Sequence, residues 1–284
     1  MVTEMRSMFR YQELLRNLIR KELKVKYKNS ALGFVWSLLN PLLSLLIFSL
    51  VFRVLLRFGI PFYAFYLLSG LLAWNLFSMS LTTATQSIVV NSSLVSKVRF
   101  PRAALPLASV GASAYHFGVQ LAVLVGAMIV FGYFRFWDAG LALFPAALMI
   151  ELIFVSALAF VLAAVNVYFR DVGHLLELAL LAWFWMTPIV YASAWVQERL
   201  ADTPGLWSLY LANPMTGIVL AFQRGLYAQV SAPGEEGEPF PVLVQASLGW
   251  YYQRLAYVAV ISVVALGICL LIFRRLEGRL AEEL

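Results

Sequence analysis

Residues 140–168 read GLALFPAALMIELIFVSALAFVLAAVNVY, with Glu151 as the single charge. A helix needs roughly 20 mostly apolar residues to cross the hydrocarbon of a bilayer, and this stretch exceeds that length. Working outward, comparable stretches recur near 34–55, 63–90, 105–133, 174–194 and 254–274, separated by short polar joints. Six spans follow from this, with both termini on one side. Composition agrees: 62% of residues are hydrophobic and 13% charged, a balance foreign to ordinary water-soluble domains. The expected fold class is an all-α integral membrane protein with six transmembrane helices. One six-span domain, residues 31–284, follows an amphipathic segment, residues 1–30.

Charge sets the orientation. Of the 21 Lys and Arg, 15 fall in residues 1–30, the joint 91–104, the joint 169–173 and the C-terminal tail, while six fall on the other side: Arg53, Arg57, Arg135, Arg199, Arg224 and Arg254. The positive-inside rule makes the first side cytoplasmic, termini included, and puts the acidic segment 234–239 outside. A net charge of +6 then needs no nucleic acid to explain it. The basic N-terminus lacks a short apolar run ending in a cleavage site, so no signal peptide is expected. Cys269 is the sole cysteine, which excludes an intrachain disulfide and a cysteine metal cluster; no metal site is expected.

Four segments depart from plain spanning helices. In residues 6–30, Tyr11, Leu14, Leu15, Leu18 and Ile19 recur near helical spacing between Arg10, Arg16, Arg20, Lys21 and Lys24, the pattern of a helix lying in the headgroup plane. It serves either as an anchor on anionic lipid or, in addition, as a landing surface for an anionic lipid-linked substrate. Second, Pro101 and Pro106 interrupt the joint 91–106, predicting a short cytoplasmic helix before Pro101 and a basic exposed tip carrying Phe100. Third, Tyr168 to His174 forms a compact turn on the same side. Fourth, residues 205–230 are too apolar for a solvated loop, yet Asn213-Pro214 breaks them and Arg224 polarises them. Two half-length helices dipping into the outer leaflet fit that pattern, and irregular backbone at such depth must be covered by protein or face water.

Taken in order, Leu32-Gly33-Phe34-Val35-Trp36-Ser37-Leu38-Leu39-Asn40-Pro41, Phe100-Pro101-Arg102, Tyr168-Phe169-Arg170-Asp171, and Asn213-Pro214 followed by Gln223-Arg224 resemble the polysaccharide-export branch of the ABC-2 permeases, which includes O-antigen, capsule and teichoic-acid exporters. The resemblance covers nearly the whole chain. It implies a homodimer of permeases in a bacterial inner membrane, with two cytosolic ATPase subunits, pushing a polyprenyl-pyrophosphate-linked glycan or polyol-phosphate polymer outward. The chain contains no Gly-x-x-x-x-Gly-Lys-[Ser/Thr] loop. It is accordingly expected to be no enzyme and to hold no cofactor, with ATP and Mg bound by the partner ATPase. By the same likeness Lys97, Arg99, Phe100, Arg170, Asp171 and His174 would couple to the ATPase. The segment holding Asn213, Pro214 and Arg224 would supply the external, re-entrant gate helices.

A hydrated glycan needs a continuous path without strong binding, and aromatic faces offer this because sugar C–H groups pack on them. Trp36, Phe77, Tyr115, Trp183 and Trp185 are the channel candidates, whereas Trp74, Trp137, Trp195 and Trp207 sit near span ends where lipid alone explains them. Ionisable groups in apolar spans are expensive. His116 and Glu151 either pair with one another or face a watery path. Glu177 is close enough to an interface to be solvated. Arg53 and Arg57 most simply snorkel. Arg20, Lys24 and Lys28 share a helix face suited to a pyrophosphate's approach. A secondary transporter would show paired broken helices in corresponding halves, and a membrane transferase or hydrolase would need a catalytic constellation; neither pattern is present. Within the family, the alternative is a permease for small lipid or drug efflux.

Overall fold

The computed structural model describes residues 12–26, 35–51, 60–97, 100–228, 230–233 and 239–278. Four of its helices are long and apolar enough to cross a membrane: α3 (Tyr63–Val90), α5 (Ala104–Val130), α6 (Leu143–Tyr168, extended by a 3-10 turn from Ala139) and α11 (Leu248–Glu277). At 1.5 Å per residue each covers about 40 Å, more than the hydrocarbon requires. Around them lie α1 (Gln12–Lys26), α2 (Val35–Ser49), α4 (Ser92–Lys97), α7 (Val172–Trp185), α8 (Ser193–Arg199), α9 (Pro204–Ala212) and α10 (Pro214–Leu226). A short antiparallel pair, β1 (Ser231–Pro233) with β2 (Pro239–Pro241), is joined in the register Ser231–Pro241. The chain is thus a helical, multi-pass membrane protein, and among the described residues it has four helices of spanning length, or five if α9 and α10 count as one.

The third, fourth and sixth apolar stretches match α5, α6 and α11, although α11 starts at Leu248, ahead of the expected 254. The second matches α3 end to end. The stretch 174–194 departs from the expectation of one uninterrupted span. Its helix α7 stops at Trp185, after about 21 Å, because Pro188 removes a backbone donor and biases Thr187 away from helix. The stretch 34–55 is helical over α2, while residues 52–59, with Arg53 and Arg57, lie outside the described residues.

α3 is the central helix: 72% of its most apolar stretch is buried, against 17% in α11, which lies at the periphery. α3 carries many hydroxyls, and the helix satisfies most of them itself, although the buried Ser80 Oγ finds no partner. Ser78, Thr82, Thr83 and Thr85 donate to the carbonyls of Trp74, Ser78, Met79 and Leu81, four residues back. Such back-bonding lets polar residues sit in a span without an unpaired group facing lipid. α5 starts at Ala104 with Pro106 in its first turn, where a missing N–H costs nothing. Just past its end at Val130, Gly132 adopts φ +70° and donates to the carbonyl of Ile129.

The apolar interior divides in two. The larger cluster joins α3, α5, α6, α10 and the segment 242–244. The smaller lies at one end and unites α1, the end of α3, α4, the start of α5 and the ends of α6 and α11. That end also carries Lys21, Lys24, Lys97, Arg102, Arg170 and Arg275 and is called the basic end below; the other is the far end.

Candidate functional site

Near the far end, α9 and α10 meet at an angle of 83°. The bend falls at Asn213, whose ψ of 115° is extended, as expected of a residue before proline. Pro214 then occupies the first turn of α10, where its fixed φ suits a helix start. Asn213 does more than cap. Its Oδ1 accepts from the N–H of Met215 at 3.1 Å and from Trp183 Nε1 at 2.8 Å, and its Nδ2 donates to Thr187 Oγ1 at 3.3 Å. Thr187 Oγ1 in turn donates to the carbonyl of Trp183 at 2.9 Å. The break is therefore latched to the end of α7, the same place where the proline stops that helix.

From Met215 to Leu226 every residue of α10 is buried. Two polar side chains tie it down. Gln223 Nε2 donates to the carbonyl of Pro188 at 2.9 Å. Arg224 makes a two-pronged pair with Asp138, Nη1 to Oδ1 at 2.9 Å and Nη2 to Oδ2 at 2.7 Å. The Arg224 side chain is 7% exposed and that of Asp138 47%. The guanidinium's hydrogen bonds hold the Asp138 carboxyl below the ordinary carboxylate range, against a smaller opposing effect of burial. Gly140 leaves the room this needs, since a Cβ there would lie 2.4 Å from Arg224 Nη1. Around the pair, Trp137 Nε1 donates to the carbonyl of Leu226 at 2.8 Å, and Tyr133 OH to that of Tyr227 at 2.7 Å. Asp138 is the partner of Arg224 that the sequence did not reveal, because the two lie 86 positions apart.

Below the latch lies an aromatic nest. Trp183 meets Phe77 edge-on with centroids 5.1 Å apart and Phe154 at 6.4 Å, while Phe77 and Phe154 stack at 5.9 Å. Phe77 is wholly buried and serves in this conformation as packing. Trp185 is exposed at the end of α7, and Tyr115 is exposed on α5 beside buried His116, their rings 6.1 Å apart. The structure thus brings Phe77 and Trp183 together and leaves Tyr115 and Trp185 apart from them; the side chain of Trp36 lies outside the described residues. Glu151 stands one turn before Phe154 on α6. It is 0% exposed, and neither carboxyl oxygen accepts a hydrogen bond, so the pairing with His116 considered above is not made.

The second candidate site is the basic end. α4 buries Val95 and exposes Ser93, Ser96 and Lys97. Phe100 is not the exposed tip expected of it: it is half-buried and packs on the smaller apolar cluster, because the turn at Pro101 folds it inward. Arg102 is also engaged, its N–H donating to Glu277 Oε1 at 3.2 Å and its Nη1 to the carbonyl of Glu277. Tyr168 OH donates to the carbonyl of Leu276 at 3.0 Å. Arg170, Asp171 and His174 are exposed beyond the end of α6. Next to them Gly173 lies against Gln86 of α3, where a Cβ would meet Gln86 Nε2 at 2.7 Å. Both protrusions therefore sit at the same end, beside the last turns of α3. Arg99 lies outside the described residues.

α1 packs on this end as an amphipathic helix should. Leu18 is buried and Leu14, Leu15 and Ile19 pack beside it, whereas Arg16, Arg20 and Lys24 point outward; Lys28 lies outside the described residues. Ser109 Oγ donates to Glu22 Oε1 at 2.8 Å, fastening α1 to α5. Partial burial raises the Glu22 carboxyl above its ordinary range, the Ser109 hydroxyl opposing that shift. Among the described residues no group of His, Cys, Asp and Glu is arranged to hold a metal ion.

Residues 13–227 match the family model described as ABC-2 type transporter. The chain is 36% identical to the O-antigen export system permease protein RfbA of Myxococcus xanthus, over 80% of this chain and 85% of the relative. Two proteins of the same description from Klebsiella pneumoniae are 30% and 28% identical, each over 96% of this chain and 95% of its own length.

Proposed function

This chain belongs to the ABC-2 type transporter family, and from that premise we propose that it is the membrane permease of an ATP-driven exporter of a lipid-linked polysaccharide. The cargo is a polyprenyl-pyrophosphate-linked glycan, O-antigen-like or of the teichoic-acid kind, carried from the cytoplasm to the outer side of a bacterial inner membrane. The observation that carries this reading is the kinship over nearly the full length with permeases described as O-antigen export proteins. The smaller-cargo alternative, lipid or drug efflux, has no comparable support.

In this reading two copies of the chain enclose the path and two separate ATPase subunits, which bind ATP and Mg, drive it. The basic end is cytoplasmic. There α4 with Lys97, the neighbouring Arg99 and Phe100, and the turn with Arg170, Asp171 and His174 meet the ATPases. Arg20, Lys24 and Lys28 receive the pyrophosphate, which cations at the headgroup level attract. A frame of six spans, with the apolar stretches 34–55 and 174–194 as its first and fifth members, belongs to this reading. α9 and α10 form the external gate: a latched bend whose closed state is held by Asn213 and by the Arg224–Asp138 pair. Opening would hydrate Glu151, whose unpartnered carboxyl is costly to keep in an apolar site and suited to hydroxyl-rich cargo. Phe77, Trp183, Tyr115, Trp185, Trp36 and His116 are the remaining wall candidates.

Deletion of the gene in its host tests this. Lipid-linked glycan should accumulate on the cytoplasmic face and vanish from the surface, and the intact gene should restore it. Normal surface glycan in the deletion strain would refute the reading.

A further inference from the structure

The smaller apolar cluster buries Leu18 of α1 and Val95 of α4 together, with Ile88 of α3 beside them. The headgroup-facing helix and the short helix α4 are thus seated in one core. A directional contact crosses the same place: Lys21 Nζ donates to Asn91 Oδ1 at 2.7 Å. Asn91 is the junction between α3 and α4. Its N–H and Nδ2 donate to the carbonyls of Ile88 at 3.2 Å and Ser87 at 2.8 Å, closing α3, while its own carbonyl accepts from the N–H groups of Leu94 at 2.9 Å and Val95 at 3.1 Å, opening α4. Asn91 is 9% exposed, so it offers no surface to an ATPase; its side chain is spent on fixing how α4 leaves α3.

α1 cannot shift freely over this contact. Ile19 fills the space left by Gly111 of α5, where a Cβ would lie 2.6 Å from Ile19 Cδ1, and the Glu22–Ser109 bond holds the next turn. Lys21 is itself exposed alongside Arg20 and Lys24, with its Nζ turned onto Asn91. A force on that exposed basic face therefore has a short physical route: through Lys21 to Asn91, and through Asn91 to the first turn of α4. Interactions assisted by a full charge are stronger and more directional than neutral ones, which suits a link of this kind.

We propose that Lys21 and Asn91 are positioning residues that transmit engagement of an anionic lipid-linked headgroup on α1 to α4, and so set the response of the ATPase. This rests on the export reading, in which α4 meets the ATPase. Lys21 acts through Asn91 and not by touching the cargo.

The test is ATPase turnover of the permease–ATPase complex in lipid nanodiscs, with and without a polyprenyl-pyrophosphate-linked glycan. Lys21→Met keeps the aliphatic stem and removes the charge. It should leave complex assembly and basal turnover intact while stimulation by the glycan falls roughly three- to tenfold, the scale of one lost charge-assisted hydrogen bond. Asn91→Ala should lower the ratio of stimulated to basal turnover by a similar factor, and Lys21→Arg should restore it. Loss in Lys21→Met with full stimulation in Asn91→Ala would mean that Lys21 touches the headgroup itself and would overturn the link, as would full stimulation in both. If the unmodified complex does not respond to the glycan, the export reading fails, and the link is read from distance alone. Spin labels on Asn17→Cys and Ser93→Cys, in a Cys269→Ser background, should show a broadened distance distribution on adding Lys21→Met. An unchanged distribution overturns the link.

Discussion

Replacing Asn213 by alanine should unlatch the bend between α9 and α10, and the cost can be worked from its bonds. The variant loses the cap on the N–H of Met215, worth about 1 kcal/mol. It also strands the half-buried indole N–H of Trp183, which held Asn213 Oδ1 at 2.8 Å, at about 1–3 kcal/mol. Together these give about 2–4 kcal/mol, or a fall of roughly 3–7 °C in the midpoint of thermal unfolding by the usual scaling for a chain of this size. Trp183→Phe removes the same N–H and keeps most of the ring that packs on Phe77 and Phe154. The two replacements should therefore not add: the double variant should be about 1 kcal/mol more stable than the sum of the singles predicts, since no donor is then left stranded. Thermal unfolding of the purified permease, with leakage of a small solute from sealed vesicles as the functional readout, measures both. Additive effects, or an Asn213→Ala protein as stable and tight as the parent, would refute the latch.

Asp138→Asn should destabilise the far end by about 1–2 kcal/mol, less than for a fully buried pair because Asp138 is 47% exposed. Since its carboxyl lies below the ordinary range when folded, the stabilisation is present above the unfolded pKa of about 4 and disappears as pH falls through the folded one. Unfolding followed from pH 7 down to about 3 should show a parent-specific acid loss that the Asn variant lacks. Glu22 behaves in the opposite sense. Its carboxyl is raised by burial, so its contribution to docking of α1 is complete below the unfolded pKa of about 4.3 and declines as pH rises through the folded value. Hydrogen exchange over residues 12–26 should quicken with rising pH beyond the intrinsic chemical trend, and Glu22→Gln should abolish that excess. Glu151→Gln should leave the fold as stable as the parent or more so, because both oxygens of the parent carboxyl lack partners, yet slow export. Unchanged export with Gln and with Leu at this position would remove Glu151 from the path.

The long spans were legible because each repeats one simple statement, apolar character over more than the width of a bilayer, as in residues 140–168. Asn213-Pro214 was legible for a local reason: proline dictates the conformation of its neighbour whatever surrounds it. The same rule acts at Thr187-Pro188, but there the proline is masked by an otherwise continuous apolar stretch, and α7 is shorter than that stretch suggests. The partners of the polar residues were out of reach. Arg224 is visible as an expensive charge, but nothing within a few residues of Asp138 marks it as the answer, and Lys21 looks like one more cation on a basic helix until Asn91, 70 positions on, is seen beneath it. The inward turn of Phe100 belongs to the same class, since it depends on a cluster assembled from six separate helices.

The central claim is export, and ATP-dependent movement of a polyprenyl-pyrophosphate-linked glycan in sealed vesicles tests it most directly, with this chain and its ATPase reconstituted together and separately. The account predicts movement that requires both subunits and ATP hydrolysis. A complex that assembles and hydrolyses ATP but leaves the glycan where it started would contradict it.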